Sequence, residues 1–470
     1  MSATQTSERV VVVGAGMAAA RLADEVAGRG GRVTLIGDEP HAPYNRILLS
    51  AVLEGTHDPA ALELGVREDV ELRLGTRVVE IHRAEREVEL ADRSRVPYDA
   101  LVLATGAIPT LPPIRGLVKV DGRLHEKVHA FRSLDDCRRL AGAVSTVSTN
   151  GQARRAVVVG GGLLGLQVAR ALSVRGLEVE VVEGGEHLLR GQVDEKAGRI
   201  IARDLRRLGA TVYTGARAVR LTDGGLVLDN GFTLATDLVV LTAGGRPSTA
   251  LARRAGLEVR RGVVVDDRLR TSDEHVYAIG DCAQHGGQVT GFVPPAWKQA
   301  GLLARHLAGE AVSYDGTRNV ARLRATGLDV AVLGDPHTAR GEIVEVTNPV
   351  VGSHRRLVVD GGRIVAGTLV GDLSRIGLIT QHYDRQTVLG PSEPGRLLMP
   401  DRVSTGSTDG GAEAVVLPDD AEVCACAGVS AGRIRACASY DDVRTTTRAT
   451  TGCGGCAAAV RQLVTEGAHV

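Results

Sequence analysis

A chain of 470 residues is too long for one hydrophobic core and calls for three or four. Its 56 basic and 56 acidic residues balance, and aromatics make up 2% of the composition, which removes the electrostatic and stacking case for binding nucleic acid or a membrane surface. No run approaches the roughly 20 apolar residues that cross a bilayer, and Met1 to Arg9 lacks the apolar centre of a secretion signal. Lys119, Lys127, Lys196 and Lys298 are the only lysines, a coding bias rather than a functional signal. Four of the seven cysteines fall in tight pairs, which in a cytosolic chain favours metal over disulfide. The expectation is a soluble, cytoplasmic, multidomain protein.

In chain order, Arg9 to Gly14 is a β-branched run suited to a buried parallel strand, and it leads directly into Gly14-Ala15-Gly16-Met17-Ala18-Ala19 and a helical stretch. Gly14 permits the tight turn, Gly16 lets the backbone approach a pyrophosphate, and Ala19 is small enough for helix and strand to pack closely. The phosphates would sit on the helix N-terminus, where free N–H groups and the dipole favour anions. The next strand, Arg32 to Ile36, ends at Gly37-Asp38-Glu39, which puts a carboxylate near an adenosine ribose. The pattern returns at Gly160-Gly-Gly162-Leu-Leu-Gly165, and its following strand, Glu178 to Val182, ends at Glu183. That carboxylate can accept from a ribose 2′-OH and would repel a 2′-phosphate, so NADH is favoured over NADPH. A lone fingerprint of this kind also closes ordinary strand–helix units. Two of them, each with a later acid, imply hydride traffic between two dinucleotides.

With those motifs the chain resembles the two-dinucleotide flavoprotein reductases, which include ferredoxin reductases and disulfide reductases. The resemblance spans about residues 8–320. Leu101-Val-Leu-Ala104-Thr105-Gly106 is similar to the segment that leaves the FAD domain, and Leu238 to Pro247, with Gly245, to the return crossing. Val276-Tyr-Ala-Ile-Gly280-Asp281 is similar to the motif whose aspartate holds the flavin ribityl chain; taken alone, Asp281 could equally cap a following helix. Pro43-Tyr44-Asn45-Arg46-Ile-Leu-Leu-Ser50 is similar to a segment of NADH-dependent nitrite reductases and of the electron-transfer subunits of assimilatory nitrate reductases. Arg46 is there expected to meet the flavin or its pyrophosphate, against the plain alternative of a solvated arginine. Ala51 stands where ferredoxin reductases usually carry lysine, which counts against that branch. Gln299 and Ala300 are read as the start of a helix, and Trp297, the only tryptophan, as packing on the flavin domain. Cys137 and Cys282 are isolated and read as buried packing residues, which makes disulfide reductase chemistry a poor fit.

The resemblance implies a discontinuous FAD domain over 1–118 and 246–320, an NAD(P)H domain over 119–245 and a small C-terminal reductase domain over 321–400. Alternating β-branched runs such as Val330 to Leu333 and Arg356 to Val359 fit a small α+β unit there. In relatives this region can form a homodimer interface, although no residue here declares one. A Ser/Thr/Gly/Asp-rich stretch reads as a linker over 401–418, so the cysteine-bearing unit beyond it is expected to be mobile.

That last unit, 419–470, carries Cys424-Ala-Cys426 and Cys453-Gly-Gly-Cys456. Between the pairs, Val429 to Tyr440 and Asp441 to Thr447 read as short helices, with Cys437 inside the first as a packing residue. Four thiolates can hold two irons, and the glycines can turn backbone N–H groups toward the sulfurs. The pattern resembles the bacterioferritin-associated-ferredoxin (BFD) type of [2Fe–2S] domain. Tetrahedral zinc is the rival, since four cysteines in pairs also describe a zinc site. The whole is therefore an α/β chain with two Rossmann-like domains, a small α+β domain and a small helical [2Fe–2S] domain. It is expected to oxidise NADH through FAD and pass single electrons through the cluster to a nitrate or nitrite reductase subunit, with no acid–base catalyst of its own. No further cysteine set of the kind that holds sirohaem and [4Fe–4S] is present, so the chain itself is expected not to reduce nitrite. A reductase serving a ferredoxin, rubredoxin or oxygenase, and a non-enzymatic zinc or redox-sensing protein, remain the alternatives.

Overall fold

The computed structural model describes residues 8–145, 154–399, 417–424, 429–450 and 456–467. Two five-stranded parallel sheets form the body. In the first, the strands run in the order Val276–Ala278, Ala100–Leu103, Arg9–Val13, Arg32–Ile36, Glu71–Arg73. In the second the order is Ala210–Thr214, Glu178–Glu183, Arg155–Val159, Leu238–Leu241, Val128–Ala130. Val10 to Val13 and Ala156 to Val159 are buried throughout, as expected of central strands covered on both faces. Each glycine fingerprint follows the central strand of its sheet, where the strand order reverses and a crevice opens beyond the strand ends. The chain passes between the two sheets through an antiparallel pair, Ala107–Pro109 with Gly245–Pro247.

A third sheet is antiparallel, ordered Val320–Ala325, Leu328–Leu333, Arg363–Val370, Ser353–Asp360, Glu342–Asn348 and backed by helices Ile376–Arg385 and Glu393–Leu398. Val330 and Val370 of this sheet share a core with Leu205 and Val181 of the second parallel sheet's layer. Asp194 caps helix Glu195–Arg207 by accepting from Ala197 N–H at 3.1 Å, and its other oxygen meets His354 Nε2 at 3.0 Å and Arg356 at 3.3 Å in the third sheet.

The cysteine module departs from its expected form. A short strand pair, Glu422–Cys424 with Val429–Ser430, precedes helix Ala431–Arg435, so Cys437 lies beyond that helix's end rather than within it. The stretch read as a linker lies, up to residue 416, outside the described residues. The module beyond it is seated on the first parallel sheet's unit: Met17, Ile47, Leu64, Val293 and Trp297 pack in one apolar cluster with Cys424, Ile434, Val443, Cys456 and Val460. Helix Val293–Leu307 begins six residues before Gln299, because Pro294 and Pro295 suit a helix's first turn. Among the described residues no helix is long and apolar enough to cross a membrane.

Candidate functional site

Steric need explains the first glycine turn. Gly14 adopts φ +110°, and a β-carbon there would lie 2.3 Å from the Ala104 carbonyl oxygen. Two residues on, a β-carbon on Gly16 would meet nothing within 4 Å, so the chain leaves open space beside the turn. Gly16 caps helix Met17–Ala27 with no side-chain acceptor, which leaves the first-turn N–H groups to whatever occupies that space. Ala19 is fully buried against the strand.

This turn faces a cavity of about 1550 Å³. Gly14, Gly16, Asp38, Glu39, Arg46, Ala104, Thr105, Gly106, Gly280 and Asp281 all line it. Asp38 pairs with exposed Arg77, whereas Glu39 is drawn inward, bonded by the Tyr44 hydroxyl at 2.6 Å and by Arg46 at 2.8 Å. Burial pushes the Tyr44 phenol above its ordinary value, so it stays protonated; it donates to Glu39 and accepts from Leu134 N–H at 2.9 Å. Burial works against the Arg46 charge, but its neighbours Tyr44, Glu39 and Asp281 together more than offset it. Asp281 sits in a single turn, Gly280–Cys282, followed by strand Ala283–His285, so it caps no following helix. Its carboxylate accepts instead from Arg132 at 2.8 Å, and Gln299 fixes the same turn by accepting from Gly280 N–H at 2.8 Å.

The second turn repeats the first. Gly160 has φ +118°, and a β-carbon there would lie 2.6 Å from Thr242 O; one on Gly165 would lie 1.9 Å from Gly160 O. Gly162, like Gly16, faces open space. The Glu183 carboxylate spans two backbone donors, Gly161 N–H at 2.7 Å and Gly185 N–H at 2.6 Å. The cavity reaches this unit at Leu163, Leu164 and Gln167, the first turns of its helix, and at Arg132, Ser133 and Asp136, while Gly160, Gly162, Gly165, Glu183 and Gly245 lie outside its lining. Gly245 stands in the crossing strand, exposed and paired opposite Pro109.

The cavity's remaining wall comes from the far end of the chain. Val423, Cys424, Cys456 and Ala459 line it together with the first glycine turn. Cys424 and Cys456 are both buried, whereas Cys426 and Cys453 lie outside the described residues. The isolated thiols are elsewhere: Cys137 donates to Leu49 O and Cys282 to Leu103 O, and burial raises both, Cys137 to about 11.

The model of the family "Pyridine nucleotide-disulphide oxidoreductase" matches residues 8–300. The chain belongs to that family. A second model, "BFD-like [2Fe-2S] binding domain", matches residues 422–466. Among curated relatives, the chain is similar to a nitrite reductase [NAD(P)H] of Bacillus subtilis (strain 168), 32% identical over 97% of this chain and 57% of that protein. It is also 29% identical to the assimilatory nitrate reductase electron transfer subunit of the same organism, over 97% of this chain and 59% of the relative. The chain thus spans little more than half the length of these relatives. Among solved structures it is similar to the putidaredoxin reductase–putidaredoxin covalent complex, with TM-score 0.75 and 25% identity over 83% of this chain and 95% of that one. The ferredoxin reductase of the CYP199A2 system from Rhodopseudomonas palustris gives 0.70 and 29%, over 78% and 91%.

As a pyridine nucleotide oxidoreductase the chain binds FAD and NAD(P)H, and its BFD-like domain carries a [2Fe–2S] cluster. The cavity fits a flavin dinucleotide in volume and in its open glycine turn. Arg132 Nε and Thr380 Oγ1, both on its wall, are buried with no hydrogen-bond partner in the protein. The buried Cys424 and Cys456 fit a cluster that excludes water. Sequence reasoning missed Arg132, read Gln299 only as the start of a helix and gave Tyr44 no role, although Tyr44 shares a segment with Arg46.

Proposed function

We propose that this chain is an NADH-oxidising electron-transfer flavoprotein whose cluster hands single electrons to a nitrate or nitrite reductase subunit in cytoplasmic nitrogen assimilation. The observation that carries this reading is that Cys424 and Cys456 line the same cavity as the flavin-type turn at Gly14 and Gly16. The relatives named for nitrite and assimilatory nitrate reduction match along 97% of the chain, cysteine module included. FAD, when bound, takes an electron pair with the hydride of NADH and releases it one electron at a time. One NADH and two oxidised one-electron acceptors therefore yield NAD⁺, one proton and two reduced acceptors.

In this reading Gly14, Gly16 and Ala19 shape the pyrophosphate turn, and Asp38 or Glu39 meets the adenosine ribose. Ala104, Thr105, Gly106 and Gly280 keep backbone close to the cofactor. Asp281, oriented by Arg132, holds the ribityl chain, and Arg46 contributes a fixed positive charge. Gly160, Gly162, Gly165, Glu183 and Gly245 would receive NADH, with Leu163 and Leu164 bringing the nicotinamide end to the shared cavity. Cys424, Cys426, Cys453 and Cys456 would hold the cluster. No residue needs to act as an acid or base; positioning carries the chemistry.

Anaerobic NADH titration followed by absorbance, low-temperature EPR and metal analysis tests this. Flavin bleaching with a [2Fe–2S] signal and about two irons per chain is expected. Bleaching with zinc and no iron would remove the relay. NADH-supported reduction of a purified nitrate reductase subunit, set against ferredoxin and rubredoxin, then identifies the acceptor.

A further inference from the structure

The contact between the cysteine module and the flavin-type unit has two parts. The apolar part centres on Trp297, whose indole N–H donates to the Met17 carbonyl at 3.1 Å. Met17 is the first residue of the helix that follows the glycine turn, so this one hydrogen bond ties the cavity wall to the turn. Met17 and Trp297 are themselves buried in the cluster that holds Cys424 and Cys456. The guanidinium of Arg21 lies 5.8 Å from the Trp297 ring centroid, a cation–π distance.

The polar part is Arg448. It adopts φ +59°, a region that disfavours bulky residues, in the segment that leads toward the second cysteine pair. Its guanidinium forms an ion pair with Asp24 on the glycine-turn helix and donates to Gly65 O at 3.1 Å. Asp24 is held in turn by Arg67 N–H at 2.9 Å. Burial, and then Arg21, disfavour the Arg448 charge, and the groups that meet its guanidinium there are the Asp24 carboxylate and the Gly65 carbonyl.

We propose that Trp297 and the Asp24–Arg448 pair are positioning residues that seat the cysteine module on the mouth of the flavin cavity. Seated, the module closes the cavity to outside oxidants and holds the cluster within transfer range. This rests on the flavin-to-cluster relay proposed above. It makes the body of the chain a docking site for a second-half segment of itself, and it leaves the module's outer face to the external acceptor.

The test uses the full chain with its cofactors. In Arg448→Ala, anaerobic stopped-flow should show flavin bleaching by NADH at the wild-type rate but cluster reduction slowed about tenfold or more. Hydrogen exchange should rise in the helix carrying Asp24 and in residues 429–450, and NADH-dependent oxygen consumption should increase. Trp297→Ala, which leaves the ion pair in place, should raise exchange in the same segments. The double swap Asp24→Arg/Arg448→Asp should restore protection and transfer toward wild type. Raised exchange with unchanged cluster reduction would overturn the proposal, and so would unchanged exchange in both variants. If NADH fails to reduce the cluster of the wild-type chain, the relay reading fails by itself, and the exchange data still decide the docking.

Discussion

The two glycine turns are near copies in sequence and opposites in setting. Gly14 and Gly160 both take a positive φ forced by a carbonyl of the neighbouring strand, and Gly16 and Gly162 both leave open space. Yet the first turn is one wall of a cavity closed by Arg132, Trp297, the third sheet and the cysteine module, whereas the second touches that cavity only through Leu163, Leu164 and Gln167. In the proposed function the same local device serves a nucleotide that stays and one that comes and goes. What distinguishes them is how many distant segments return to cover the turn.

The comparison can be broken most sharply at the glycines. Gly14→Ala would force a β-carbon into the Ala104 carbonyl, and the purified protein is expected to carry less than about a tenth of its flavin. Gly160→Ala should stay yellow while its KM for NADH rises at least about tenfold. Flavin loss in both variants would show that the two sites do not differ in this way. Next in size is Arg132→Ala, which strips Asp281 of its charged partner and should weaken flavin retention by about 1–3 kcal/mol, read as flavin fluorescence released on dilution.

Glu183→Ser tests the exchangeable site alone. Removing the carboxylate frees Gly161 N–H and Gly185 N–H for a 2′-phosphate, so the NADPH-to-NADH ratio of kcat/KM should rise about tenfold, and an unchanged ratio would sink the ribose assignment. The smallest effect concerns stability. Burial opposes ionisation of Asp194, but His354, Ala197 N–H and Arg356 hold its pKa below the ordinary carboxylate range. That stabilisation is present above the ordinary value near 4 and is lost as pH falls through the native one, by about 1–2 kcal/mol. Thermal melts of wild type should therefore fall below about pH 4 more steeply than those of Asp194→Asn, which should already melt lower at neutral pH.

How much of this was legible depended on distance along the chain. The turns could be read because strand, glycines and helix are contiguous, and the sterics that require Gly14 and Gly160 are set by immediate neighbours in the sheet. Glu183 was readable as the acid at the next strand's end, though not that its carboxylate would rest on two backbone donors. Arg132 was not readable: its partner Asp281 lies 149 positions away, and an arginine between a strand and a helix looks ordinary. Trp297 stood out as the lone tryptophan, but its bond to Met17 spans 280 positions. The expected mobility of the cysteine module came from linker composition, which speaks to the tether and says nothing of the surface the module meets. Gln299 was read at a helix start, whereas the helix opens at Val293, with Pro294 and Pro295 in its first turn.

Because the cysteine module is joined to the body through the run between Met399 and Leu417, its local concentration at the joint is of millimolar order whatever the concentration of protein. Closure is therefore unimolecular, and a modest interface suffices to keep it mostly shut. Diluting the protein cannot starve the step from flavin to cluster, as it would if the cluster were a separate carrier. Only the encounters with NADH and with the outside acceptor obey mass action, so a dilution series of turnover at saturating NADH measures the acceptor encounter alone.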